Sequence, residues 1–266
     1  LRAEMHNVDN VLPILVTECG SLQNGRQAAD NWLRVLAWNA FLTKTMQRPD
    51  QIALFVPFVF LHMPWNPSSG DAVFTPKEDR QQHLTIDDFH ATPIAKFFEL
   101  WRNFDGRRLP VTYDRNWLDV VAVHRNNKIS LAVTNMGGRQ LLLDLSTILQ
   151  QYPKVSARQT RLNYHGGDLI FQPDQPVTIN AIPVDVNETT VVHLTTTKSI
   201  QPTHGVHQNR YYAGKTAVKS TGKPISFKIE TPEGASTTQA QLVIGVHRTG
   251  GLNATLRTTI NKAPVT

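Results

Sequence analysis

Cysteine is almost missing from this 266-residue chain, which contains only Cys19. A single thiol builds neither a disulfide framework nor a cysteine-ligated zinc site, so the fold must rest on packing alone. Long apolar runs are also missing. The longest, Ile52 to Leu61, is interrupted by Pro57 and falls far short of the ~20 residues a membrane-spanning helix needs, so no membrane partner is expected. There is no run of five like charges and no RNA-binding or helix-turn-helix signature, which argues against nucleic acid. The chain lacks a Gly-x-Ser-x-Gly elbow, a His-Glu-x-x-His helix and a phosphate loop. Asn24-Gly25-Arg26 and Gly137-Gly138 read as ordinary turns. The acidic residues between Asp71 and Asp88 fit no calcium-loop spacing, so neither metal nor cofactor is expected.

What remains is an ordinary globular composition, 40% apolar and 18% charged, which predicts a packed core rather than disorder. The net charge of +6 suits a solvated surface or an anionic polysaccharide. The chain opens on Leu1 with no basic and apolar leader before its first structured segment, and it closes inside a strand-like pattern. Both ends are therefore expected to be cut points.

The texture changes near Leu109-Pro110. Before it, short apolar runs alternate with helical patterns, the rhythm of βα units in a parallel sheet. Leu12 to Thr17 reads as a buried strand. Asp30 to Met46 reads as a helix with Leu33, Leu36, Ala37, Ala40 and Phe41 on its inner face. Ile52 to Met63 is expected to be a second buried strand, followed by a long polar loop from Asn66 to Asp88. Thr92-Pro93 then opens a helix through Asn103, with Ile94, Phe97, Phe98 and Trp101 inward.

After Pro110 seven short strands are expected: Trp117 to His124, Lys128 to Asn135, Gln140 to Leu145, Val155 to Tyr164, Leu169 to Gln172, Val177 to Pro183 and Thr189 to Leu194. Turn residues such as Asn126-Asn127, Gly166-Gly167 and Asn187-Glu188 separate them, which predicts a β-sandwich. Thr195 to Asn209 reads as a linker, and strands such as Ile225 to Ile229 and Gln241 to Val246 suggest an incomplete second sandwich. The domains expected are 1–109, 110–198 and 199–266.

Chemistry concentrates at two strand ends. Ile14-Leu15-Val16-Thr17-Glu18-Cys19-Gly20 is a buried strand closed by a carboxylate, and in parallel barrels the C-terminal strand ends form the active-site face. The next strand runs to His62-Met63-Pro64-Trp65-Asn66-Pro67. There Trp65 offers an aromatic face for a sugar ring, while His62 and Asn66 offer hydrogen bonds to its hydroxyls. The competing readings are a Glu18 that merely caps its strand, a Trp65 that plugs the barrel rim and a structural His62.

This arrangement resembles the retaining glycoside hydrolases of the large (β/α)8 clan, in which a nucleophile glutamate ends strand seven and an aromatic residue ends strand eight. Leu12 to Gly20, Ala53 to Pro67 and Thr92 to Val111, followed by sandwich strands, look most like glycoside hydrolase family 86, the β-agarases and β-porphyranases. The segment near Ala240 to Asn261 is similar to that family's C-terminal sandwich. The resemblance implies the C-terminal part of a TIM barrel followed by β-sandwich material, with Glu18 as nucleophile and Trp65 as sugar platform. It further implies a secreted or periplasmic endo-acting enzyme on agar- or porphyran-type galactans.

Two alternatives stay open: another retaining glycosidase of the clan acting on a galactoside or arabinoside, and a non-catalytic carbohydrate-binding sandwich. A retaining enzyme needs a second carboxyl group ~5 to 5.5 Å from the first to act as acid/base. The family's lies on strand four, and neither Glu4, Glu78 nor Glu99 is placed to replace it, so this chain is expected to be inactive alone.

Overall fold

Two apolar runs near the start of the chain pair as parallel strands, β1 (Ile14–Cys19) and β2 (Ile52–Pro57), with helix α1 (Ala28–Met46) between them. The protein is described by a computed structural model covering residues 12–20, 28–48, 51–62, 72–77, 85–111, 113, 115, 117–202, 211–214, 225–233, 259–260 and 263–264. A strand, a helix and a second parallel strand make one βαβ unit, as the alternating texture predicts.

The second strand is shorter than expected. It stops at Pro57, which has no N–H to continue a ladder. Beyond it the backbone turns to the segment 72–74 instead, with Val73 N–H donating to Val59 O (3.1 Å) and Phe74 N–H to Phe60 O (3.0 Å). The presumed loop Asn66 to Asp88 therefore contains structure. Strand β3 (Phe74–Pro76) pairs antiparallel with β4 (Phe89–Ala91), and Val73 sits in the core. The long polar sequence hid β3, and β4 follows directly after it, because three-residue ladders carry too little periodicity to register.

Helix α1 also turns a different face inward. Leu33 and Phe41 are 43% and 37% exposed and Ala37 is exposed, whereas Trp32, Val35, Leu36 and Trp38 are buried together with Arg34, Asn39 and Thr43. Two tryptophans bury more apolar area than the leucine stripe, so they set the rotation of the helix. Helix α2 (Lys96–Trp101) follows a 3₁₀ turn at Pro93–Ala95. Its buried residues are Phe97 and Leu100, joined by Ile94 of the turn before it, with Phe98 left exposed. Thr92 does not cap the helix through its side chain; its hydroxyl donates to Ala72 O at 2.8 Å and so ties the helix start to the core segment.

The larger body is a six-stranded antiparallel sheet. Its members are β5 (Arg107–Leu109), β6 (Leu118–Arg125), β7 (Lys128–Asn135), β9 (Val155–His165), β10 (Asp168–Pro176) and β12 (Thr189–Thr196), in the order β10-β9-β12-β7-β6-β5. Strand β5 precedes Pro110, so the sheet begins before the expected boundary. A second ladder pairs β8 (Leu141–Leu143) with β11 (Ile182–Val184). The sixth expected strand, Val177 to Pro183, is thus reduced to its end, Ile182 and Pro183, continued by Val184. A short helix α3 (Ile148–Gln151) lies between β8 and β9.

Burial on both faces explains why β6 reads Val-Val-Ala-Val without alternation. On one face Val121, Ala132, Leu162 and Val191 meet Val35, Trp38, Ile94, Phe97 and Leu100 of the helices. On the other face Val120, Val133, Val192 and Leu194 meet Ile182 and Val184. One core therefore joins the two segments on either side of Pro110. Polar links reinforce the junction: Lys44 Nζ donates to the buried Asp119 at 2.8 Å, Gln47 Nε2 to Val120 O at 3.0 Å, and the Thr43, Thr134 and Thr189 hydroxyls form a chain at 3.2 and 3.1 Å.

Gly166 and Gly167 take φ of +64° and +96° between β9 and β10, the two-residue turn that requires positive φ at both positions. Gly137 is needed for space instead. A Cβ there would lie 2.4 Å from the Trp117 ring, which packs against the core formed with β8 and β11. Gly137→Ala is expected to lower stability by about 1–3 kcal/mol through forced displacement of that ring. A denaturant midpoint unchanged within error would refute the close contact.

Burial and the neighbouring Lys128 hold the His193 imidazole down at about 4, against partial opposition from Asp174 and Asp105. The unfolded chain binds a proton near pH 6.5 that the folded protein refuses until about 4. Stability therefore falls as pH drops through that window, by about 1–2 kcal/mol once solvent screening is discounted. Denaturation curves from pH 7 to 4 should lose part of their slope in His193→Gln.

The chain divides between Arg210 and Tyr211. Much of the supposed linker belongs to the first unit: Thr195 and Thr196 end β12, Ile200 is buried, and its N–H donates to Asn126 O at 2.8 Å. In the second unit Ala213 and Ile229 form an antiparallel bridge, and β13 (Thr259–Ile260) pairs with β14 (Ala263–Pro264). The strand expected at Ile225 to Ile229 reduces to that bridge, and Gln241 to Val246 lies outside the described residues.

Candidate active site

The C-terminal end of β1 is where the sequence and the structure coincide. Ile14↔Ile52 and Val16↔Phe55 are register partners, but Cys19 then pairs with Pro57, three residues on β1 against two on β2. Strict alternation would put Glu18 on the face of Ile14 and Val16, both half-buried. The extra residue reverses the alternation, and Thr17 and Glu18 are consecutively exposed. Such irregularities re-aim a side chain at the rim of a sheet. The edge is fastened by Phe58 N–H donating to Cys19 O at 3.0 Å, and Gly20 lies beside Phe58. Burial pushes the Cys19 thiol up, which makes it a poor nucleophile at neutral pH.

His62 is half-buried on the segment that leaves β2, its N–H donating to Phe74 O at 2.9 Å, next to the Leu61↔Phe74 bridge. Trp65 and Asn66 lie outside the described residues, as do Glu4 and Glu78. Glu99 sits on α2 in an ion pair with Lys96 at 2.7 Å. Among the described residues the strand end therefore presents one carboxylate, able to attack an electrophilic carbon or stabilise a developing cation, and unable to protonate a leaving group in the same step.

Sequence reasoning missed an aromatic ladder beside this edge. Phe60, 54% exposed, meets Phe74 (5.2 Å between ring centroids) and Phe98 (5.9 Å), and Phe98 meets Phe97 (5.2 Å). The spacing of Phe58 and Phe60 was the available signal, but it read as strand burial. Also missed was a buried ion network in the sandwich, where Arg161 of β9 binds Glu188 and Asp185 at the turn into β12. Its members are far apart in sequence, so no local pattern announces them. Among the described residues, no group of three or more His, Cys, Asp or Glu is placed to hold a metal, and no helix is long and apolar enough to cross a membrane.

No protein-family model matches the chain. Among curated proteins it is 24% identical over 242 residues to β-porphyranase A of Phocaeicola plebeius, covering 85% of this chain and 33% of that protein. It is 20% identical to the funoran endo-β-hydrolase of Wenyingzhuangia aestuarii (90% of this chain, 34% of that protein) and 19% identical to the β-agarase AgaO of Microbulbifer thermotolerans (90% and 23%). The chain thus spans about a third or less of these relatives.

Among solved structures, a β-porphyranase of glycoside hydrolase family 86 from the human gut bacterium Bacteroides plebeius superposes with a TM-score of 0.63 at 21% identity, covering 80% of this chain and 40% of that one. BuGH86 in complex with neoagarooctaose gives 0.60 at 16% identity, covering 75% and 34%. The resemblance to family 86 read from the strand ends is borne out by these relatives, and the chain shares the fold of the part of those structures that it covers.

Proposed function

We propose that this chain is the C-terminal part of a secreted, retaining, endo-acting hydrolase of β-galactosidic bonds in agar- or porphyran-type galactans. The residues before β5 would supply the last two strand-helix units of a (β/α)8 barrel, the six-stranded sheet from β5 onward a β-sandwich, and the unit from Tyr211 part of a second sandwich. The carrying observation is Glu18, exposed at the C-terminal end of a parallel strand whose ladder shifts register there. Glu18 acts as nucleophile, Trp65 as sugar platform, and His62 and Asn66 as hydroxyl partners, while the remaining two-thirds of the enzyme supplies the acid/base carboxyl.

The relatives favour galactans over the arabinoside alternative, since all three are named for galactan substrates. The helix and strand faces left open in this chain support a barrel origin. Leu15, Leu33, Leu54 and Val56 are exposed apolar residues on β1, α1 and β2, surface that adjoining barrel units would cover.

The full enzyme should release reducing ends from agarose or porphyran and none from xylan or arabinan. Trp65→Ala should cost about 1–3 kcal/mol in kcat/KM, as removal of a large aromatic contact does. Turnover of arabinan, or none of any galactan, would replace this reading with one of its alternatives.

A further inference from the structure

The segment that follows β2 leads into strand β3 in a defined direction. Phe74 is the parallel partner of Leu61, with Phe74 N–H donating to Phe60 O at 3.0 Å and His62 N–H to Phe74 O at 2.9 Å. Strand β3 therefore runs the same way as the chain leaving β2 and starts beside His62. On the barrel reading that direction is outward from the mouth, where the loops that hold substrate stand. Strand β4 returns antiparallel, with Phe74↔Ala91, Thr75↔His90 and Pro76↔Phe89 as register partners, and Lys77 N–H donating to Asp88 O at 2.7 Å extends the ladder by one step.

Alternation gives this hairpin two unlike faces. Phe74, Pro76, Phe89 and Ala91 share one, and Phe74 packs against the core of Trp38, Ile94 and Phe97 under the helices. Thr75, Lys77, Asp88 and His90 share the other, so the polar face is turned away from the helices. In a barrel the side away from the helices is the side of the axis. Glu18 is turned the same way, because the register shift takes it off the face of Val16, whose partner Phe55 packs against that same core. Leu61 lies four residues beyond the Pro57 that pairs with Cys19. That length of extended chain and three strand spacings put His90 on the order of 20 Å from Glu18. The distance is too great for the ring that Glu18 attacks and within reach of the same oligosaccharide.

The chemistry of this face suits a hydroxyl. Thr75 Oγ1 and His90 Nε2 are 3.2 Å apart, and His90 is exposed. That bond occupies one ring nitrogen and leaves Nδ1 to meet a ligand. Whichever partner donates in the Thr75 pair, a neutral ring gives Nδ1 the complementary role, and a sugar hydroxyl matches either because it both donates and accepts. An anion would match only the donor form. Lys77 beside the pair already gives its ammonium to Asp87 O at 2.7 Å, and the Asp88 carboxylate, which accepts from Thr85, adds a negative charge to the same face.

We propose that Thr75 and His90 form an outer sugar-binding subsite of the substrate cleft. His90 is the contact, hydrogen-bonding a hydroxyl of the glycan through Nδ1, and Thr75 is a positioning residue that holds the imidazole. The subsite rests on the function proposed above, because it takes the sugar chain to be anchored at Glu18. Its consequence is a dependence on substrate length: a short chain ends before His90, and a long one gains a hydrogen bond there.

The test measures kcat/KM of the full enzyme on agarose and on the shortest neoagaro-oligosaccharide it cleaves, with xylan and the shortest cleaved xylo-oligosaccharide in parallel. The variants are His90→Ala, Thr75→Val and, as control, His165→Ala, which removes another exposed imidazole at the end of β9. Melting temperatures of both histidine variants should match the parent, since both side chains are on the surface. His90→Ala should lower kcat/KM on agarose about three- to tenfold, the worth of one neutral hydrogen bond, and leave the short substrate unchanged. Thr75→Val should lose part of the same increment on agarose alone, and His165→Ala should change neither value. A loss as large on the short substrate, no loss on either, or an equal loss in His165→Ala would overturn the subsite and leave the galactan reading standing. Turnover of the xylan series instead, with the His90→Ala loss confined to the polymer, would keep the subsite and overturn the galactan reading. A parent that turns over neither series would overturn both.

Discussion

Replacing Arg161 with alanine should destabilise the protein by about 3–5 kcal/mol, the range seen when one partner is removed from a buried ion pair. Arg161 Nε donates to Glu188 Oε1 at 2.9 Å, its Nη2 reaches both Glu188 Oε2 and Asp185 Oδ2, and the Glu188 side chain has no exposed surface. The two partners respond in opposed senses. The hydrogen bond to Glu188 holds the Arg161 guanidinium firmly charged, while burial pushes the Glu188 carboxyl above its ordinary range despite that partner. Burial of Glu188 decides the balance of the pair, because a guanidinium is charged in either environment.

Without Arg161 the carboxylate keeps only the Asp185 N–H at 3.1 Å and a weak contact from Asn163 at 3.4 Å. Its proton affinity rises further. A carboxyl with a raised folded-state pKa contributes stability below its unfolded value and loses it as pH rises through the folded one. Arg161→Ala should therefore be least stable at neutral pH and recover partly toward pH 4.5, and adding Glu188→Gln should restore much of the loss. Urea denaturation at the two pH values decides the matter. A loss under 1 kcal/mol at neutral pH would show that the turn between β11 and β12 is held by packing instead.

This network also shows what a sequence discloses and what it hides. Asn187-Glu188 was legible as a turn, since a residue tolerant of positive φ followed a polar cluster, and Asn187 does take φ of +56°. That Glu188 turns inward was not, because its partner lies 27 residues away on another strand. The same division runs through the fold. Strand β1, helix α1 and strands β6, β7, β9 and β12 were readable from apolar runs and periodicity. The rotation of α1 was not, since it depends on the sheet that Trp38 and Val35 meet, and no pattern within the helix encodes that sheet. The position of Glu18 at a strand end was legible because a carboxylate ending an apolar strand is a local signal. The register shift that exposes it belongs to the pairing with β2, and the ladder of Phe60, Phe74 and Phe98 belongs to three segments at once.

In the full enzyme Glu18→Gly should abolish turnover on galactan without unfolding the protein. Glu18 is exposed at the end of β1, so its removal leaves no cavity and no buried polar group unpaired. Neighbouring backbone, from Cys19 O to Phe58 N, is held by bonds that do not involve its side chain. Circular dichroism should be unchanged, and sugar binding should persist because it depends on many other contacts. On the proposed mechanism the lost step is attack on the anomeric carbon, with the electron pair supplied by the Glu18 carboxylate while the acid/base residue protonates the departing oxygen. Glycine also opens a space beside that carbon, and azide or formate can occupy it. With an activated substrate, whose leaving group needs little protonation, either anion should restore measurable rate. The azide product should have the α configuration, because the anion attacks from the face Glu18 normally occupies and no second displacement follows. A β-configured azide product would assign the second displacement to another nucleophile. Near-parental activity without any anion would remove Glu18 from the reaction and leave the carbohydrate-binding alternative as the better reading of this chain.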